Sequence, residues 1–162
     1  MNLSTIRGVV MDMDGVLWRG ELMLPGVDEF FALLRGRGLP FALATNNSSK
    51  TPANYVSKLA GMGIHGVEER QIVTSGTATV DYLLAHYPAG ISIHVLGGDG
   101  LKGMISGAGF VLSDEASVVV VGIDIHLTYD KLKRASLLIR GGADFIGTNA
   151  DASIPTTEGL AP

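Results

Sequence analysis

Short β-branched runs alternate with longer amphipathic stretches along nearly the whole chain. This alternation limits the fold more than any single residue, because strands joined through helical crossovers lie parallel in one sheet. The pattern predicts strands at Gly8–Met13, Pro40–Thr45, Gln71–Thr74, Ser92–Leu96, Ala116–Gly122 and Asp144–Gly147. Between them, Gly26–Arg37 carries Val27, Phe30, Phe31 and Leu34 at helical spacing. Thr51–Met62 repeats the pattern with Tyr55, Val56 and Leu59, with Thr51 as a candidate N-cap and Pro52 at the first helical position. Thr77–Ala85 and Asp130–Arg140 complete the predicted helices, the last stopping at Gly141-Gly142. The aromatic and methionine side chains on these faces are expected in the core rather than at a ligand. A break at Pro88-Ala89-Gly90 divides the chain into expected domains 1–88 and 89–162.

With 162 residues, 46% of them hydrophobic, the chain is long enough to bury a core and form one domain or two small ones. Net charge is −4, from 12 basic and 16 acidic residues with no block of like charge, so neither a nucleic-acid footprint nor a membrane-surface patch is indicated. The absence of cysteine excludes disulfides, zinc–thiolate sites and cysteine nucleophiles. Met1 to Gly8 lacks the apolar stretch of a signal peptide, and no apolar run approaches the ~18 residues of a membrane span. A cytoplasmic enzyme is the expectation. The 22 glycines are explained by tight αβ turns, without internal repeats or low-complexity tracts.

Two strand ends concentrate polar chemistry. Asp12-Met13-Asp14-Gly15-Val16 follows the apolar run Val9-Val10-Met11, placing two carboxylates at the C-terminal end of a buried strand, where open α/β sheets bind ligands. In extended backbone, residues i and i+2 point the same way, so Asp12 and Asp14 converge, and Gly15 lets the chain turn. Two carboxylates in one partly enclosed site repel, which separates a nucleophile or metal ligand from a proton donor. By itself the tetrapeptide also fits an Asx turn closing a strand. The second strand end is Ala42-Leu43-Ala44-Thr45-Asn46-Asn47-Ser48-Ser49-Lys50. If this strand neighbours the first, Thr45 and Asn46 emerge beside Asp12 and Asp14, and a hydroxyl, an amide and backbone N–H groups then suit a phosphoryl group. A loop and helix cap is the plainer reading of Asn46-Asn47-Ser48-Ser49.

The ordered set Asp12-Met13-Asp14-Gly15-Val16-Leu17-Trp18 and Ala44-Thr45-Asn46-Asn47-Ser48-Ser49 resembles motifs one and two of the haloacid dehalogenase-like phosphatases. More narrowly it resembles their subfamily IIA, the NagD-type and p-nitrophenylphosphatase or phosphoglycolate phosphatase group. The likeness continues through Val73–Ala78, Val118–Asp124, Leu127–Leu132 and Phe145–Asp151, and so covers nearly the whole chain. It implies an α/β fold, a Rossmann-like parallel core with an inserted α/β cap, each present in part. It also implies that Asp12 attacks phosphorus, that Asp14 acts as acid and then base, and that Asp12 and the Asp14 carbonyl hold Mg²⁺. Thr45, Asn46, Asn47 and the backbone of Asp14 and Gly15 would orient the phosphoryl oxygens of a small phosphorylated metabolite. His126, in the cap-like half, is a lesser candidate for substrate contact. Asp99-Gly100 after Gly97-Gly98 reads as a turn, since no lysine with serine or threonine follows at P-loop spacing.

Complete members of the family continue into motif three, a lysine, and motif four, an acidic loop. Neither follows Asp151 here, and Lys50, Lys58 and Lys102 stand in the wrong context to replace the lysine. The resemblance therefore implies the N-terminal part of the core with part of the cap, a weakly active or inactive fragment with an open sheet edge. The alternative is a half-enzyme or non-catalytic phosphate-binding module that needs a second chain or a swapped dimer across the open edge, and a homo-oligomer through the cap or the open edge is a further expectation. A receiver-like domain leaves Thr45-Asn46 unexplained, and a dinucleotide-binding fold lacks its glycine fingerprint after the first strand.

Overall fold

The computed structural model describes residues 5–155 and 159–161; expectations touching Met1–Ser4, Thr156–Glu158 and Pro162 lie outside them. The chain packs as two compact units: Met1–Thr45, Pro52–Val73 and Asp151–Pro162 in the first, Asn46–Thr51 and Thr74–Ala150 in the second. The longest stretch of the second unit begins at Thr74, directly after Val73 of the first.

In the first unit, β1 (Val9–Asp12) lies parallel to β4 (Phe41–Thr45), with Val9 opposite Phe41 and Asp12 opposite Ala44. β5 (Ile72–Thr74) flanks β4 on its other side. Between β1 and β4 run a two-residue antiparallel pair, β2 (Trp18–Arg19) and β3 (Leu22–Met23), and helix α1 (Val27–Gly36). Helix α2 (Pro52–Gly61) follows β4, with Pro52 as its first residue as the spacing predicts. Alternation along the strands puts Met11 and Leu43 into a core closed by Phe31 and Leu34 of α1 and by Tyr55 and Leu59 of α2. Each such fully buried side chain contributes roughly 1.5–3 kcal/mol relative to exposure. Phe30, expected with this face, is 38% exposed, because the apolar stripe of α1 is narrower than its hydrophobic residues. A short antiparallel pair, β10 (Ile154–Pro155) and β11 (Leu160–Ala161), ends the described chain.

The second unit is a four-stranded parallel sheet in the order β7-β6-β8-β9, from Val111–Leu112, Ser92–Leu96, Val118–Val121 and Asp144–Gly147. Val118 and Val120 join a core with Leu83 of α3 (Ser75–His86) and Leu101 and Ile105 of α4 (Asp99–Gly107). Val119 packs on the other face with Ala135 of α5 (Tyr129–Arg140). Thr74 caps α3 by accepting from Thr77 N at 3.0 Å, and Thr128 accepts from Lys131 N at 3.3 Å at the start of α5.

The expected turn at Asp99-Gly100 is corrected: these residues open α4. Three glycines weaken the helical signal of Asp99–Gly107, each costing up to ~1 kcal/mol against alanine. The reason for one is visible, since a Cβ on Gly100 would lie 2.2 Å from the Ser49 carbonyl oxygen. Packing of Leu101 and Ile105, one turn apart and both fully buried, overrides the weak propensity. The remaining predicted elements are present: Ser92–Leu96 and Asp144–Gly147 have the predicted bounds, and the ends of the others shift by no more than two residues.

Candidate active site

The side-chain period of β1 carries past its end. Met11 and Met13 are buried, whereas Asp12 and Asp14 are exposed, so both carboxylates emerge on one side of the chain. Asp12 Oδ1 accepts the Met13 amide at 2.7 Å, and Asp14 Oδ1 accepts the Trp18 indole N–H at 2.7 Å. Each carboxylate is thereby fixed through one oxygen, Oδ1. Gly15, at φ 82°, takes the left-handed conformation, and its amide donates to the Trp18 carbonyl at 2.7 Å. Leu17 N donates to Met13 O at 2.8 Å, which completes a tight turn returning the chain to β2.

The loop is anchored from α2. Trp18 is fully buried, its ring stacked on Tyr55 at a centroid distance of 6.2 Å. The Lys58 ammonium stands 4.7 Å over the Trp18 ring and donates to Gly20 O at 2.7 Å and Glu21 Oε1 at 3.3 Å. The Tyr55 hydroxyl is buried without a hydrogen bond of ordinary geometry. Its pKa is pushed up to about 12, first by burial and then by the Asp14 charge, with Asp12 adding a smaller push. The Thr45 side chain acts the other way, favouring the phenolate. Asp12, Asp14 and Thr45 thus share one electrostatic neighbourhood around Tyr55.

Thr45 ends β4, one residue beyond Ala44, the partner of Asp12, and is 8% exposed. Asn46 and Asn47 follow it directly but pack with the second unit. There the Asn46 carbonyl accepts Ser75 Oγ at 2.8 Å, and Asn47 Oδ1 accepts Ser49 N at 2.8 Å and Ser49 Oγ at 2.7 Å. Asn47 therefore closes a local Asx turn. His126 donates its amide to Asp124 Oδ1 at 2.9 Å, within the second unit.

Trp18, Tyr55 and Lys58 are parts of this site that the sequence reading did not assign. Trp18 stands four residues after Asp14, which is a local signal. Tyr55 and Lys58 have none, since their helical spacing marks only a core face.

Among the described residues, no cluster of three or more histidine, cysteine or carboxylate side chains is positioned to hold a metal ion. Two exposed carboxylates with hard oxygen donors nonetheless fit Mg²⁺, which keeps several waters and is held through one or two carboxylates together with substrate phosphate.

The family model for haloacid dehalogenase-like hydrolases matches residues 9–111. Acid sugar phosphatase of Staphylococcus aureus is 40% identical over 162 residues, covering 99% of this chain and 62% of the relative. The 4-nitrophenylphosphatase structure from Thermotoga maritima is 36% identical with a TM-score of 0.91, over 97% of this chain and 60% of that one. NagD of E. coli K-12 is 31% identical with a TM-score of 0.83, over 96% and 62% respectively. The chain thus spans about 62% of the length of the curated relatives it matches. The chain belongs to the haloacid dehalogenase-like hydrolase family, in its branch with NagD and the p-nitrophenylphosphatases.

Proposed function

We propose that the protein carrying this chain is a Mg²⁺-dependent phosphomonoester hydrolase acting through an aspartyl-phosphate, on a small phosphorylated metabolite of the sugar or polyol kind. The observation that carries the reading is the pair of carboxylates on one side of the chain at the end of β1, each tied through Oδ1 by its own N–H donor. Asp12 Oδ2 attacks phosphorus in line with the ester oxygen; a P–O bond forms to Asp12 as the bond to the leaving group breaks. Asp14 Oδ2 gives its proton to the departing oxygen, so the product leaves as an alcohol. Asp14 then takes a proton from water as its oxygen attacks the phosphoryl group, releasing phosphate and restoring both side chains. The Trp18 indole N–H orients Asp14 throughout. Bound Mg²⁺ at Asp12 and the Asp14 carbonyl would offset the repulsion between an anionic nucleophile and an anionic substrate. Thr45 and the Gly15 backbone orient the phosphoryl oxygens.

In this reading residues 1–88 belong to the core and 89–162 to the cap, and the enzyme is cytoplasmic. No described helix is long and apolar enough to cross a membrane. The sugar phosphatase and nitrophenylphosphatase relatives support the substrate class. Phosphate release from 4-nitrophenyl phosphate and small sugar phosphates, with and without Mg²⁺, tests the proposal. Asp12→Asn is expected to abolish turnover while leaving the melting transition in place. Turnover that persists in D12N refutes the nucleophile assignment.

A further inference from the structure

The second unit contains a cleft of about 340 Å³ that none of the groups assigned above explains. That volume lies at the lower end of small-molecule sites. It opens where the β6–β7 ladder stops. Ile91 O and Ile93 O accept from Val111 N and Ser113 N, at 3.1 Å each, on the β7 edge. By the two-residue period of the strand, the next peptide on that edge is Val95, and the partner strand has ended at Leu112. The Val95 peptide therefore faces the cleft it lines.

Charged groups surround this unpaired edge. Asp124 is already satisfied, accepting Lys131 Nζ at 2.8 Å and the His126 amide at 2.9 Å. Its carboxyl is held below the ordinary value by Lys131 first, and Lys102 adds to the effect, so Lys102 lies within electrostatic reach of it. Lys102 itself stands 3.8 Å from Asp99 Oδ1, beyond hydrogen-bonding range, and that carboxylate is fully solvated. His94, whose side chain is 11% exposed, uses Nδ1 on the Ser113 carbonyl at 3.2 Å. That contact requires a proton on Nδ1, so Nε2 of the neutral ring is an acceptor. Its other neighbour, Asp114, is 83% exposed and contributes little across water.

We infer that this cleft is a binding site for a small 2-hydroxycarboxylate, with the carboxylate on Lys102 and the Val95 amide and the hydroxyl donating to His94 Nε2. An amino acid fits less well. The one buried carboxylate in the cleft, Asp124, is already neutralised by Lys131, and Asp114, the other carboxylate of the lining, is 83% exposed and offsets an ammonium group only weakly.

Titration of the 162-residue chain with glycerate, followed through the His94 ring nitrogens and the Val95 amide by NMR, tests the inference. His65, His86 and His126 serve as internal references. Glycerate is expected to shift both His94 and Val95 saturably. Propionate, which lacks the hydroxyl, and serine, which carries an ammonium, are each expected to bind at least tenfold more weakly. Lys102→Met and Lys102→Gln are both expected to weaken glycerate at least tenfold, with the Val119 and Ala135 amide signals, from the opposite face of the sheet, unchanged as evidence of intact folding. The inference is overturned if glycerate leaves His94 and Val95 unmoved at millimolar concentration. It is equally overturned if either folded lysine variant binds as well as the parent, or if propionate or serine binds as tightly as glycerate. None of these readouts depends on hydrolysis, so they stand or fall separately from the phosphatase reading.

Discussion

Tyr55→Phe separates the electrostatics of the site from its packing. The phenol is raised from 10.0 to about 12 by burial and by the neighbouring carboxylates. Two pKa units at 1.36 kcal/mol each amount to about 2.7 kcal/mol. The sign follows from where the proton sits. Between pH 10 and pH 12 the unfolded chain loses the Tyr55 proton and the folded chain keeps it, so the folded state alone forgoes ionisation. The stability present below pH 10 is therefore lost as pH rises through the folded pKa. Phenylalanine keeps the ring stacked on Trp18 and removes the titration. It also removes a buried hydroxyl without a hydrogen bond, so near pH 8 the variant is expected to be at least as stable as the parent. Urea unfolding of both proteins from pH 8 to 12, in metal-free buffer, gives the difference directly. Contributions from other tyrosines and lysines cancel in it. The gap is expected to widen in favour of the variant by about 2.3 kcal/mol across that range, since the folded phenol is only half ionised at its upper end. Parallel stability curves would refute the assignment of Tyr55 to a buried, negatively charged neighbourhood.

Two further perturbations probe packing and charge in the second unit. Gly100→Ala forces a Cβ to within 2.2 Å of the Ser49 carbonyl oxygen, whereas the same change at Gly103, also in α4, meets nothing within 4 Å. Thermal unfolding should show Gly100→Ala destabilised by about 2 kcal/mol or more and Gly103→Ala stabilised by roughly 0.5–1 kcal/mol; equal melting temperatures would contradict the close approach. Asp124, whose pKa is lowered chiefly by Lys131, contributes stability that is present above its unfolded pKa and is lost as pH falls through the folded value. Asp124→Asn should therefore show a flatter decline in stability than the parent as pH drops below 4, in acid unfolding followed by circular dichroism; an unchanged acid limb would exclude the pair as a stabilising contact.

Much of the fold was legible because strand and helix periodicity are local. The run Phe41–Thr45 and the helical spacing of Tyr55 and Leu59 announce their elements without reference to anything distant. The same locality makes Asp12 and Asp14 readable, since i and i+2 of an extended chain share a side whatever surrounds them. Helix α4 was not legible, because three glycines weaken its local signal and one of them, Gly100, answers to a contact with Ser49 about fifty residues away and not to helix propensity. The β2–β3 pair was missed for a related reason: two-residue strands carry no period, and this pair is held by Lys58 from α2. Asn47 went the other way, since its side chain satisfies a turn at Ser49 that short-range chemistry alone anticipates.

Residue order along the chain therefore settled the α/β class, the strand ends that carry polar groups and the pairing of two carboxylates, all consequences of backbone geometry within a few residues. Tertiary structure decided what surrounds those carboxylates. The Lys58 ammonium over the Trp18 indole and the buried Tyr55 hydroxyl near the carboxylates meet only because β1, β4 and α2 pack together. Their effect on charge arises from desolvation and proximity, which exist only once distant segments have excluded water between them.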